Sequence, residues 1–255
     1  MQYVFDETYA GFLTCVFESF ARKEDQVTLA PYNTRIPDIF REEKTIVTDQ
    51  EKASRVITGL QKKGGRQLAR EIYQVFLSED VRAWNATFTI IRQVFKTDAD
   101  ILKNFGNPDV LYFSQTLKKV SRERHRMKAF IRFSKADNGL YYALIEPDFN
   151  VIPLIGDFFR QRFADQLWLI YDQKRQYGIY YNLHTIEEVR LAETTPQDTE
   201  LPAAIIAPDT NDQLYAHLWQ SYFKSTNIEA RKNMKLHLRH VPKRYWKHLV
   251  EKQGQ

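Results

Sequence analysis

The chain has 255 residues, 43% of them hydrophobic and 14% aromatic, with a formal net charge of +5. That length makes one large domain or two small ones with a real core, and the lack of any run of 18 apolar residues excludes a membrane span. A single cysteine, Cys15, permits no internal disulfide and no four-cysteine zinc or iron–sulfur site.

In chain order, residues 2–6 read as a strand. Thr8 then caps a helix whose apolar positions Phe12, Leu13, Val16, Phe17 and Phe20 face inward, with Cys15 as a small core residue on the same side. Acids precede the first apolar run, so the N-terminus is no secretory signal, and a reducing cytoplasm is expected. Residues 27–47, with Pro31 and Pro37, read as loop and edge strand. Thr48 and Glu51 form a capping box that opens a helix through Lys63. Gly64-Gly65 ends it and a second helix follows. With Lys62, Lys63, Arg66 and Arg70 this resembles a helix-turn-helix, although any helical hairpin with a glycine turn looks the same. Residues 80–104 are one amphipathic helix or two, and Asn107-Pro108 breaks the pattern.

The stretch from Lys118 to Asp148 organises the rest. It opens as the tail of a basic helix with Phe113, Leu117, Val120 and Met127 on the core face and Lys118, Lys119, Arg122 and Arg126 opposite. Glu123 and His125 flank the boundary. Arg124 projects into the apolar stripe, where it either pairs internally or lines a site for an anion. A strand is predicted from Ala129, a turn at Ala136-Asp137-Asn138-Gly139, and a returning strand. Pro153 and Gly156 then end an extended piece, and Asp157 is placed to cap a short helix. Residues 166–172 and 177–183 are strong strands around a turn, DQKRQYG, and residues 184–192 add a strand or a short helix. Residues 193–212 read as a long loop, and Thr210 with Gln213 opens a further helix. The tail is helix, proline break, helix. The expected class is α+β, an antiparallel meander flanked by helices on both sequence sides, without crossover helices between strands. A mostly helical part over 1–115 and an α+β part over 116–255 are expected.

Charge is unevenly placed. Residues 118–132 hold seven Lys/Arg against one Glu, and 231–252 hold eight against one, so the rest of the chain is net −8. An acidic body with two basic segments points to a polyanionic partner, although a pair of solvated helix faces would look the same. The candidate contacts are Lys118, Arg122, Arg124, Arg126, Arg231, Asn233, Arg239, His240, Lys243, Arg244, Tyr245 and Trp246. Cations would meet phosphates, and the two rings would either stack on unpaired bases or seat the last helix on the core.

Phosphate-loop, dinucleotide, zincin and nucleophile-elbow motifs are all missing. Asp38 with Glu42, Glu43 and Lys44 only superficially resembles a nuclease metal site, because the gap is too short to place both acids on paired strands. His217, His237, His240 and His248 stand among cations that repel a metal, so no metal and no cofactor is expected. For catalysis the candidates are Glu123 and His125 as an acid/base pair, with Arg132 as an anion clamp. Two positions apart on a helix, Glu123 and His125 point about 200° apart, which weighs against a shared substrate atom.

Three patches carry a family resemblance: FDETYAGFLTCVFESF at the N-terminus; Glu123, His125, Arg126, Met127, Phe130, Arg132 and Phe133; and Asn227, Arg231, Asn233 with His240 through Trp246 and Glu251. With these the chain resembles the bacterial family labelled "probable DNA metabolism protein". That family accompanies a radical-SAM protein of DNA modification or repair, and a similar domain precedes uracil-DNA-glycosylase-like domains. Arg124, Ile228 and Val241 depart from its pattern. The resemblance implies a DNA-linked accessory role and a radical-SAM iron–sulfur partner, and it supplies no established activity. An enzyme acting on DNA and an adaptor without DNA affinity are the other readings.

Overall fold

A computed structural model describes residues 1–33, 42–97, 101–136, 139–190 and 242–249. The chain divides into two compact units, Met1–Arg122 and Glu123–Gln255.

The first unit begins with β1 (Gln2–Phe5), α1 (Tyr9–Ala21), β2 (Thr28–Pro31) and β3 (Glu43–Thr45). Both β2 and β3 lie parallel to β1, which is central. The β1–α1–β2 segment is therefore a crossover, contrary to the expectation of none. Strands of three and four residues leave little periodic signal, so their parallel pairing was not legible. Thr8 caps α1 as predicted, its Oγ1 accepting from the Gly11 amide at 2.9 Å. Phe12, Leu13, Cys15 and Val16 are buried.

Asp49, not Thr48, caps α2 (Gln50–Phe76), its carboxylate accepting from the amides of Glu51 and Lys52. Thr48 instead donates to Asp6 Oδ2 at 2.8 Å. The predicted break appears as a kink within α2 at Gly65, with φ 81° and ψ 165°, a backbone region open essentially to glycine alone. Next comes α3 (Val81–Lys96), capped by Asp80. Trp84 stacks on Phe76 with centroids 5.3 Å apart and donates its indole N–H to the Phe76 carbonyl at 2.8 Å. A short 3-10 turn, Ile101–Lys103, leads to α4 (Pro108–Phe130). Asn107 starts α4, its Oδ1 accepting from the Asp109 amide, with Pro108 next to it where a missing N–H costs nothing.

The second unit takes the last part of α4, then β4 (Ser134–Lys135), β5 (Tyr141–Ile145), α5 (Gly156–Arg162), β6 (Trp168–Asp172), β7 (Tyr177–Tyr181) and β8 (Ile186–Val189). The sheet order is β4-β5-β6-β7-β8. Three neighbouring pairs are antiparallel, but β5 and β6 are parallel. The expected all-antiparallel meander is thus a mixed sheet, because the chain between β5 and β6 returns through α5. The fold is α+β. No strand begins at Ala129. The helix continues to Phe130, and Arg132 folds back to donate to the Ala129 carbonyl at 2.8 Å, satisfying one of the last exposed helical acceptors. Gly139 turns the β4–β5 hairpin at φ 84°, while Asp137 and Asn138 lie outside the described residues. Asp157 does not cap α5; it sits in the first turn and pairs with Arg160 at 3.2 Å. The loop expected over 193–212, the helix opened by Thr210 and most of the basic tail also lie outside the described residues. Among the described residues no helix is long and apolar enough to cross a membrane.

Candidate nucleic-acid interface

Two sets of side chains on α4 matter, and they do opposite things. On the outer side, Lys118, Lys119, Arg122 and His125 are exposed. Among the described residues Lys118, Lys119 and Arg122 have no carboxylate partner; Arg122 only donates to the Lys118 carbonyl at 3.3 Å. Cations left to water at successive turns of one helix are available to an external anion at little desolvation cost.

On the inner side the buried charge is Glu123, 1% exposed, and not Arg124, which is half-buried. The helical stripe that contains Val120 and Met127 passes through position 123 as well as 124, and the tertiary structure chose the carboxylate. Tyr245 is the reason. Its hydroxyl lies 2.5 Å from both Glu123 oxygens. The Asp148 amide donates to Oε1 at 2.9 Å, and the guanidinium groups of Arg126 and Arg244 stand 3.6 and 3.5 Å from Oε2. A buried carboxylate is tolerable only with such donors and cations around it.

The same groups are tied to each other. Arg244 binds Asp148 Oδ2 at 2.6 Å, donates to the Tyr245 hydroxyl at 2.8 Å and lies over that ring at 4.6 Å. Burial, and then the Glu123 carboxylate that accepts its proton, push the Tyr245 phenol above its ordinary value, so it stays protonated. Burial pulls Arg244 down, but the Tyr245 hydroxyl and the nearby carboxylates outweigh it and the net shift is upward. Asp148 is held in turn by the β6–β7 turn. Asp172, fully buried, accepts the amides of Lys174 and Arg175 and pairs with Arg175 at 2.8 Å. Arg175 also donates to the carbonyls of Pro147 and Asp148 at 3.1 and 3.2 Å. Sequence reasoning missed this Asp172–Arg175 pair, for which the only signal was Asp-x-x-Arg in a turn.

The predicted contact residues divide as follows among those described. Lys118 and Arg122 are exposed and available. Arg126 and Arg244 are turned toward Glu123. Arg124 is near enough to Lys128 that, after burial, its charge helps to lower the Lys128 ammonium, which lies 4.8 Å over the Phe158 ring. Tyr245 is 2% exposed and packs 5.9 Å from Phe130, so it seats the last turn on the core and offers no stacking face. Trp246 is half-buried. Lys243 opens the short 3-10 turn Lys243–His248. Arg231, Asn233, Arg239 and His240 lie outside the described residues. Of the catalytic candidates, Glu123 is buried and engaged, His125 is exposed on another side of the helix, and Arg132 is bound to helix-end carbonyls. The structure does not bring them together. A cavity beside the Tyr245 ring, bordered by Met127, Ile131 and Leu144, has room for about 10 Å³, the scale of one water molecule. Among the described residues no group of three His, Cys, Asp or Glu is placed to hold a metal ion, and Asp38 lies outside the described residues.

Fold and site together define an α+β protein that buries one helical carboxylate under a tyrosine while exposing a row of cations on the same helix. The model of the domain of unknown function DUF4130 matches residues 81–251, about two thirds of the chain, and the chain belongs to that family. No curated protein and no solved structure matches it significantly.

Proposed function

We propose that this protein is a nucleic-acid-binding accessory factor of DNA repair or modification, working in the cytoplasm beside a radical-SAM iron–sulfur enzyme. The observation that carries the binding half is the exposed cationic row Lys118, Lys119 and Arg122 on α4, which has no carboxylate partner among the described residues. Such a row meets phosphates without having to break internal ion pairs first. Arg126 and Arg244 belong to a different task, since both face the buried Glu123. The partner and the DNA-repair context rest on the family resemblance of the three sequence patches.

The test is fluorescence anisotropy with labelled single- and double-stranded DNA at roughly 50 to 200 mM salt. Binding by the wild type should weaken steeply with salt. The triple variant Lys118→Gln, Lys119→Gln, Arg122→Gln should lower the slope of log affinity against log salt by about 2 to 3, the share of three phosphate contacts. An unchanged slope removes the assignment of these residues. Absence of binding by the wild type transfers the row to an acidic protein partner, and co-purification with the co-expressed radical-SAM enzyme after nuclease treatment then identifies it.

A further inference from the structure

The first unit carries a second cluster of exposed cations that the α4 row does not include. Between Glu51 and Glu71 the chain has no acidic residue and six basic ones. Three of the six are engaged. Lys52 pairs with Glu18 at 2.8 Å, Arg55 lies 4.9 Å over the Phe17 ring, and Lys63 donates to the Phe95 carbonyl at 2.8 Å. Lys62, Arg66 and Arg70 are exposed and have no carboxylate partner among the described residues. They flank the Gly65 kink, where seven successive residues, 61–67, are all exposed. The kink therefore projects as an elbow that is free of acids, and nothing stands within 4 Å of the space beside Gly65.

The elbow is also close to the α4 row. Ser121 of α4 donates to Gln74 of α2 at 3.4 Å. Arg70 and Arg66 lie one and two turns before Gln74 on the same ridge, about 6 and 12 Å along the axis. Lys118 and Arg122 lie within one turn of Ser121. Arg66, Arg70, Lys118 and Arg122 thus all lie within about two turns of that hydrogen bond. An extended polyanion laid over that contact meets exposed cations of both helices.

We propose that Lys62, Arg66 and Arg70 form a second phosphate-contacting surface for the nucleic acid bound by α4, so that the ligand tracks from α4 across to the elbow of α2. The inference rests on the nucleic-acid reading above and adds contacts to it. Its test uses the full chain carrying Lys62→Gln, Arg66→Gln and Arg70→Gln, measured with labelled duplex and single-stranded DNA across the same salt range. A charge-matched control carries Lys96→Gln, Arg160→Gln and Arg190→Gln, three exposed cations that already have acidic partners. The elbow variant should lose about 2 to 3 in salt slope on top of wild-type behaviour, and the control should lose clearly less. Circular dichroism should show all variants folded, because the substituted side chains are exposed. If the α4 variant loses slope and the elbow variant does not, the second surface is wrong and the binding reading stands. An equal loss in the control makes the effect one of net charge and overturns the second surface. If the wild type shows no salt-dependent binding at all, both fall together.

Discussion

Glu123 shows how one residue can be misplaced by periodicity and then explained by chemistry. As an isolated helix position it looks like a boundary acid. In the folded chain its two oxygens receive a phenol, a backbone amide and two guanidinium groups. Removing the carboxylate leaves the buried Tyr245 hydroxyl and the Asp148 amide without their acceptor, so Glu123→Ala is expected to cost about 1 to 3 kcal/mol for each unsatisfied group. Tyr245→Phe keeps the ring and removes one donor, and should cost about 1 to 3 kcal/mol. Urea unfolding of each variant checks both values. A double variant that costs clearly less than the two single losses added together would show that the pair acts as one unit. A Tyr245→Phe protein as stable as the wild type would mean that the hydroxyl is not held by Glu123 in solution. These variants also separate anchoring from nucleic-acid contact, since neither side chain is available to a phosphate.

Among the elements, α2 and α4 contribute by their interruptions and ends. The kink in α2 depends on Gly65, whose φ of 81° with ψ of 165° is strained for any residue with a Cβ. There is open space around it, so the penalty of Gly65→Ala is one of backbone conformation and not of collision. A loss of about 1 to 3 kcal/mol is expected by thermal or urea unfolding. A neutral result would show that the two halves of α2 can join into one straight helix. The Gly-Gly pair made this break legible in the sequence, whereas the cap was misassigned by one position. Thr48 and Asp49 are both good N-caps, and the choice fell to Asp49 because Asp6 recruits the Thr48 hydroxyl. At the end of α4 the helix overran its predicted limit. Arg132 satisfies a terminal carbonyl there, an interaction that no window of hydrophobicity reports.

Taken as a whole, the chain should respond to acid through carboxylates of its first unit. Glu18 is held below its ordinary value by hydrogen bonds from Lys52 and then Arg22, against the opposing effect of burial. Asp25 is lowered chiefly by Lys96, and Asp49 by the amide of Lys52. A carboxylate with a depressed folded pKa takes up its proton first in the unfolded chain. Its stabilisation is therefore complete above the unfolded values, about 3.9 for Asp and 4.3 for Glu, and is lost as pH falls from there through the lower folded values. Urea midpoints followed by tryptophan fluorescence should fall from about pH 5 toward pH 3, and Glu18→Gln should flatten the decline. A Glu18→Gln protein with an unchanged pH profile would remove Glu18 from that account.

Local information was enough for the α+β class, the Thr8 cap, the Gly65 break, the strands β6 and β7 and the exposed cations of α4. Each is set by neighbours within a few residues, through helix period, strand alternation or glycine freedom. Whether β5 and β6 run parallel, which residue caps α2 and which charge on α4 is buried were decided elsewhere. Those outcomes depend on partners far along the chain: α5 returning the chain between two strands, Asp6 reaching Thr48, and Tyr245 reaching Glu123 across 122 positions. The burial of an ionised group is favourable only when such donors arrive, and their arrival is a property of the folded chain. For the same reason Tyr245, for which base stacking and anchoring were both open, serves as an anchor, and Arg244 beside it pairs with Glu123 and Asp148.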